Sequence, residues 1–184
     1  MTQIFLVTGN KNKLREWQEV LPANVQIDTV DVDLDEIQSD DPEVIVADKA
    51  RRAYEKVGKP VVVEDVEAGL EKLGGLPGPF IKYFLKKMGN DALYQLAGQE
   101  GERATISCTI GYYDGKELLT VRGNINGTVV APRGNDGFGF DVTFVPDGET
   151  QTYAEMDVAK KNSLSHRYKA IQLFVEKLTE KWAI

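Results

Sequence analysis

Apolar and polar positions alternate along the chain in two rhythms. Residues 3–8, with the run Ile4-Phe5-Leu6-Val7, read as a buried strand, and Thr8-Gly9-Asn10 as its exit turn. Leu14, Trp17, Val20 and Leu21 then recur at helical spacing until Pro22. A second strand is expected near 25–32. A helix follows over 43–56, with Val44, Ala47 and Ala50 available for its inner face. Val61-Val62-Val63 predicts a third short buried strand, ending in Glu64-Asp65. Gly74-Gly75-Leu76-Pro77-Gly78-Pro79 is dense in breakers and reads as a loop before helices over 80–88 and 90–97. The rhythm then changes to a period of two. Ala104, Ile106, Cys108, Ile110 and Tyr112 face one way, Asp114-Gly115 marks a hairpin turn, and Leu119, Val121, Ile125 and Val129 continue on the return strand. A loop at 131–137 and a short strand near 142–145 precede a last helix carrying Leu164, Tyr168, Ile171, Val175 and Leu178 on one face. No linker, repeat or low-complexity segment interrupts residues 1–184, so a single domain is expected. Its fold class is α/β: one elongated mixed sheet flanked by helices, arranged in two lobes with a cleft.

Composition narrows the functional range. The 184 residues are 42% hydrophobic and 28% charged, as in ordinary soluble globular proteins rather than disordered ones. The formal net charge of −7 disfavours a general grip on nucleic-acid backbones, which takes a basic surplus. An acidic protein still binds a polyphosphate where a local cationic pocket or a metal ion is supplied. Cys108 stands alone and there is one His, which disfavours a disulfide or a structural zinc site. The N-terminus runs straight into an apolar strand, without a charged leader, and no apolar stretch approaches the roughly 20 residues that span a bilayer. A cytoplasmic protein without membrane segments is expected.

Three segments carry candidate chemistry. Thr8-Gly9-Asn10-Lys11-Asn12-Lys13 joins a strand to a helix. Free N–H groups at a helix start favour an anion, Gly9 permits close backbone approach, and Lys13 adds a point charge. Taken alone, the segment also fits a capped helix with solvated lysines. An acidic stretch runs from Asp28 to Glu43 without Lys or Arg, and Glu64-Asp65 closes an apolar strand. A carboxylate at a strand's carboxyl end, joined by one from the acidic stretch, suits Mg²⁺, which prefers oxygen ligands and shares substrate phosphates. A turn or helix-cap carboxylate is the plainer reading of Asp65. The third segment, Lys160-Lys161-Asn162-Ser163-Leu164-Ser165-His166-Arg167, places cations at the start of the last helix against its macrodipole, as if an anion were to sit there. Just upstream, Phe138-Gly139-Phe140-Asp141 offers aromatic rings for stacking on a base or for core packing.

In order, Thr8-Gly9-Asn10-x-x-Lys13-x-x-Glu16, Val63-Glu64-Asp65 and Gly74-Gly75-Leu76-Pro77-Gly78-Pro79 resemble the inosine triphosphate pyrophosphatase family. So do Ala131-Pro132-Arg133-Gly134, Phe138-Gly139-Phe140-Asp141, Thr152-Tyr153-Ala154-Glu155-Met156 and Ser165-His166-Arg167. The similarity runs from about residue 3 to 175, and the Gly-Gly-Leu-Pro-Gly-Pro form resembles the eukaryotic and related branch. The resemblance implies a two-lobed α/β fold with a central nucleotide-binding cleft and a homodimer that needs Mg²⁺. It implies hydrolysis of ITP, dITP and XTP to the monophosphate and pyrophosphate. Matched by motif, Thr8, Gly9, Asn10, Lys11, Asn12 and Lys13 hold the triphosphate. Glu36 and Asp65 bind metal, and Asp65 is also the candidate base. Lys49 and Lys82 contact phosphate or substrate, and Phe138, Gly139, Phe140, Asp141, Lys161, His166 and Arg167 form the nucleobase pocket.

One position departs from that pattern. The family usually follows the acidic pair with Ser or Thr, and here Val66 follows, leaving only its backbone N–H for phosphate. The expected mechanism is metal-assisted attack of water on the α-phosphorus, oriented by Asp65 or another acid such as Glu64. Donors from Arg167 and backbone N–H groups would favour a 6-carbonyl base over adenine. Two other readings stay open on sequence: a Maf-like pyrophosphatase for other modified nucleotides, and a nucleotide-binding regulator without turnover.

Overall fold

The structure, a computed structural model, describes residues 2–9, 11–135 and 137–182, with the side chains of residues 2, 11, 12, 181 and 182 outside that description. Strand β1 (Thr2–Val7) leads through helix α1 (Lys11–Val20) to β2 (Val25–Val30), and helix α2 (Pro42–Val57) leads to β3 (Val61–Leu70). β1 pairs in parallel with β2, in register from Thr2↔Val25 to Val7↔Val30, and with β3 at Phe5↔Val61 and Leu6↔Val62. Parallel neighbours need crossovers, and α1 and α2 supply them. Asp41 caps α2 by accepting the Glu43 N–H at 2.9 Å, and Pro42 starts the helix. Its buried residues are Pro42, Ile45, Val46, Ala50 and Ala53. Val44, expected on that inner face, is exposed, because it falls out of phase with this set.

β4 (Pro77–Gly78) returns antiparallel to β3 and is followed by α3 (Ile81–Met88) and α4 (Ala92–Ala97). The predicted hairpin is present as β5 (Arg103–Tyr113) and β6 (Leu118–Val129). Its turn is set by Asp114, whose Oδ1 accepts the N–H groups of Lys116 and Glu117 at 2.9 and 2.8 Å. β7 (Phe144–Pro146), α5 (Val158–Leu164) and α6 (His166–Trp182) complete the chain. The seven-stranded mixed sheet has the order β2-β1-β3-β5-β6-β7, with β4 on β3.

Further sequence expectations change. β3 does not end at Glu64-Asp65 but continues to Leu70, so both acids lie within a strand that is buried almost throughout. The strand near 142–145 begins later, at Phe144, because Gly139–Val142 forms a 3₁₀ turn. The last helix is two helices. Ser165, extended at φ −72° and ψ 158°, separates α5 from α6. Lys161 therefore lies in the last turn of α5, where a cation complements the helix dipole instead of opposing it.

The chain divides into two compact units. The first comprises residues 1–65, 108–123 and 167–184, and the second residues 66–107 and 124–166. In the first, Val46, Ala50, Ala53, Val61 and Val63 form an apolar cluster joined by Leu34 and Tyr54. Trp17 and Tyr112 pack on Phe174 of α6, at ring-centre distances of 5.4 and 5.9 Å. The second unit has its own core, including Leu70, Ile81, Leu93, Ile106, Phe140, Phe144 and Tyr153.

Candidate functional site

In the first unit, the segment after β1 starts the candidate site. The Thr8 N–H donates to the Val30 carbonyl at 3.0 Å. A Cβ on Gly9 would meet Asp31 Oδ2 at 3.1 Å, so only glycine passes this point without displacing that carboxylate. Asn10 lies outside the described residues, as do the side chains of Lys11 and Asn12. Lys13, one turn into α1, forms a 2.7 Å ion pair with Glu64 Oε1.

Glu64 is the hub of this region. It is 4% exposed and takes three donors from distant parts of the sequence. Besides Lys13, the Trp17 Nε1–H donates at 3.2 Å, and the Arg167 Nε–H donates to its two oxygens at 3.1 and 3.2 Å. Arg167 Nη1 also donates to Glu16 Oε2 at 2.7 Å. Burial opposes the charge on Glu64, but Arg167, Lys13 and the hydrogen bonds from Lys13 and Trp17 outweigh it and hold the carboxyl well below the usual range. For Arg167, burial likewise opposes the charge, and Glu64 and Glu16 overcome it and raise its pKa further. The guanidinium expected to read a base is thus anchored and oriented by two carboxylates. The neighbouring Cys108 thiol is pushed up by burial and then by Glu64, which makes it inert rather than nucleophilic.

Next to this hub, Lys49 of α2 donates to Glu36 Oε2 at 2.9 Å and approaches the Glu64 carbonyl oxygen at 3.5 Å. Burial lowers the Lys49 pKa, Asp65 and Glu64 oppose that effect, and Lys13 adds to it. One ammonium is therefore set among Glu36, Glu64 and Asp65. Asp65 is buried at the end of the first unit's part of β3. No group of three or more His, Cys, Asp or Glu side chains is gathered as a metal cage among the described residues.

The second unit holds the other predicted residues. Asp141 is buried and accepts the Phe138 N–H at 2.7 Å and the Lys161 ammonium at 2.5 Å. Gly139, between the two rings, has φ +62°, a conformation that turns Phe138 and Phe140 to different fates. Phe138 is 80% exposed, whereas Phe140 is in the core with its ring centre 5.9 Å from that of His166. His166 is buried and also lies 6.0 Å from the Tyr153 ring, over which Lys161 Nζ sits at 5.6 Å. Lys82 is exposed on α3, with its ammonium over the Tyr83 ring. Val66 packs its side chain against the second unit's apolar core, which gives the residue a structural use in place of a hydroxyl.

The structure thus gathers Lys13, Glu36, Lys49, Asp65 and Arg167 in the first unit. In the second it gathers Phe138 to Asp141, Lys161 and His166. Sequence reasoning gave Glu64 only a minor part and assigned none to Trp17. The available signal was a Glu inside an apolar run, which needs buried partners.

The chain matches the Ham1 family over residues 4–177. The inosine triphosphate pyrophosphatase of Yarrowia lipolytica is 42% identical over 182 residues, covering 97% of this chain and 96% of that protein. The dITP/XTP pyrophosphatase of Methanopyrus kandleri is 38% identical over 178 residues, covering 95% of each. Among solved structures, a HAM1 protein from Coxiella burnetii is similar at a TM-score of 0.84 and 28% identity, over 98% of this chain and 100% of that one. With a nearly full-length match in sequence and a shared mixed α/β fold, the chain belongs to the Ham1 family.

Proposed function

We propose that this protein is an Mg²⁺-dependent hydrolase that cleaves ITP, dITP and XTP to the nucleoside monophosphate and pyrophosphate. The observation that carries the reading is the set of Lys13 and Lys49 held among Glu36, Glu64 and Asp65 beside the β1–α1 turn, in a chain whose relatives bear those activities as names. The donor set fits Mg²⁺. It offers the carboxylate oxygens of Glu36 and Asp65, the hard donors that Mg²⁺ prefers. Glu36 and Asp65 would hold it. When bound, Mg²⁺ supplies charge neutralisation on phosphate and a lowered pKa for a coordinated water.

The chain's own residues do the rest. Asp65 takes a proton from the attacking water as its oxygen bonds to the α-phosphorus. The bond from that phosphorus to the bridging oxygen breaks, and pyrophosphate leaves. Lys13 and Lys49 stabilise the charge on the departing group, and the N–H groups following β1 orient the triphosphate. Thr8 to Lys13, Val66 through its backbone N–H and Lys82 complete the phosphate contacts. Nucleobase recognition falls to exposed Phe138 as a stacking surface and to the polar groups of Lys161, His166 and Arg167. Asp141 fixes both Phe138 and Lys161. The enzyme acts as a cytoplasmic homodimer on a free nucleotide, without nucleic acid or membrane. Among the described residues no helix is long and apolar enough to cross a membrane.

The test is pyrophosphate release from ITP, dITP, XTP, GTP and ATP, with and without Mg²⁺. The expected result is Mg²⁺-dependent release from the first three, with kcat/KM for ATP and GTP lower by about 10²-fold or more. Asp65→Asn should lose about 10²–10³ in rate. Equal efficiencies across the panel would overturn the assigned base recognition. Full turnover by Asp65→Asn would overturn the role of Asp65.

A further inference from the structure

The acidic segment between β2 and α2 has no helix or strand of its own over residues 31–41, yet it is fastened to the first unit at separate points. Leu34 packs against the cluster around Val46, Ala50 and Ala53. Lys56 Nζ donates to the Asp33 carbonyl. Lys49, two helical turns before Lys56 and so on the same side of α2, holds the Glu36 carboxylate at 2.9 Å. The Lys49 and Glu36 side chains are only 20% and 19% exposed, so this ion pair is shielded far more than a surface one. The backbone around Glu36 is thus located by Leu34 and Asp33 independently of Lys49.

We infer that the Lys49 ammonium and the divalent cation compete for Glu36, so that loading the cation transfers Glu36 from Lys49 to the metal and releases Lys49 toward the phosphates. This rests on the metal-dependent reading above and adds an exchange step on the protein side. A shielded carboxylate already paired with an ammonium binds a second cation only by giving up part of the first attraction. The exchange needs no refolding of the acidic segment, because its anchors at Leu34 and Asp33 do not involve the pair. Lys49 has an adjacent oxygen to hold while it moves, the Glu64 carbonyl at 3.5 Å. The released ammonium and the neighbouring Lys13 repel each other, which favours an anion arriving between them.

The probe is Mn²⁺ binding followed by electron paramagnetic resonance, without nucleotide, on the full chain. Lys49→Met keeps the length and removes the charge, and it should bind Mn²⁺ about fivefold or more tightly than wild type. Lys49→Arg should resemble wild type, and Glu36→Gln should bind weakly whether or not Lys49 is replaced. If Lys49→Met binds no more tightly while Glu36→Gln loses the ion, the competition is refuted and the metal reading survives. If Glu36→Gln binds as wild type does, the metal reading fails and the exchange with it. Should Lys49→Met not fold, NMR of the lysine side chains in wild type replaces it. Mg²⁺ titration should shift the Lys49 Nζ signal, and an unmoved signal at saturating Mg²⁺ would overturn the exchange.

Discussion

Glu64 shows how two adjacent acids in one strand take different work. Alternation along β3 turns Glu64 and Asp65 to opposite faces. Glu64 meets Lys13, Trp17 and Arg167 directly, whereas Asp65 acts on Lys49 through its charge, as Glu64 also does. Because the Glu64 pKa is depressed, its ionised pairing stabilises the native state fully above the ordinary carboxyl value of 4.5 and loses that effect as pH falls from there toward the folded value. Glu64→Gln removes the carboxylate that Lys13 and Arg167 share, leaving Arg167 with Glu16 alone, and should cost about 3 kcal/mol in urea unfolding at pH 7. It should also flatten the decline of stability between pH 5 and 3. An unchanged acid limb would show that Glu64 is not the group responsible. At this scale the sequence revealed the candidates but not their partners. Arg167 lies 103 positions from Glu64, and no local pattern announces such a pairing. The same holds for Phe138 and Phe140, which composition leaves equivalent and which the left-handed Gly139 separates into a surface ring and a core ring.

Elements were legible where local pattern and tertiary packing agree. The β5–β6 hairpin follows from a period of two and an Asp-Gly turn, and α2 from apolar residues at helical spacing, of which Ala50 is buried and Val44 is not. The break at Ser165 was hidden because Leu164, Tyr168 and Ile171 keep helical spacing across it. The length of β3 was hidden because Glu64, Asp65 and Glu67 look like the end of a strand until their burial is known. α6 is the element on which the first unit's aromatic packing depends, since Phe174 touches both Trp17 and Tyr112. Phe174→Ala should cost about 3–5 kcal/mol, read as a lower denaturant midpoint with an unchanged slope. A loss below 1 kcal/mol would mean that α6 is held mainly by the Arg167 ion pairs instead.

For the whole molecule, a net charge of −7 is compatible with phosphate chemistry because the cations are local and neutralised in pairs. The paired lysines among the described residues restrict anion binding to places where a pair is opened or a metal added. The chain passes between its two units four times, at residues 65/66, 107/108, 123/124 and 166/167. Three covalent segments of the first unit and two of the second therefore depend on each other's connectivity. Calorimetry should show one thermal transition with equal calorimetric and van't Hoff enthalpies, and two resolved transitions would contradict it. The same weave has a genetic consequence. Any single breakpoint between residues 66 and 166 severs the first unit, so recombination cannot exchange the group around Glu64 as a contiguous cassette.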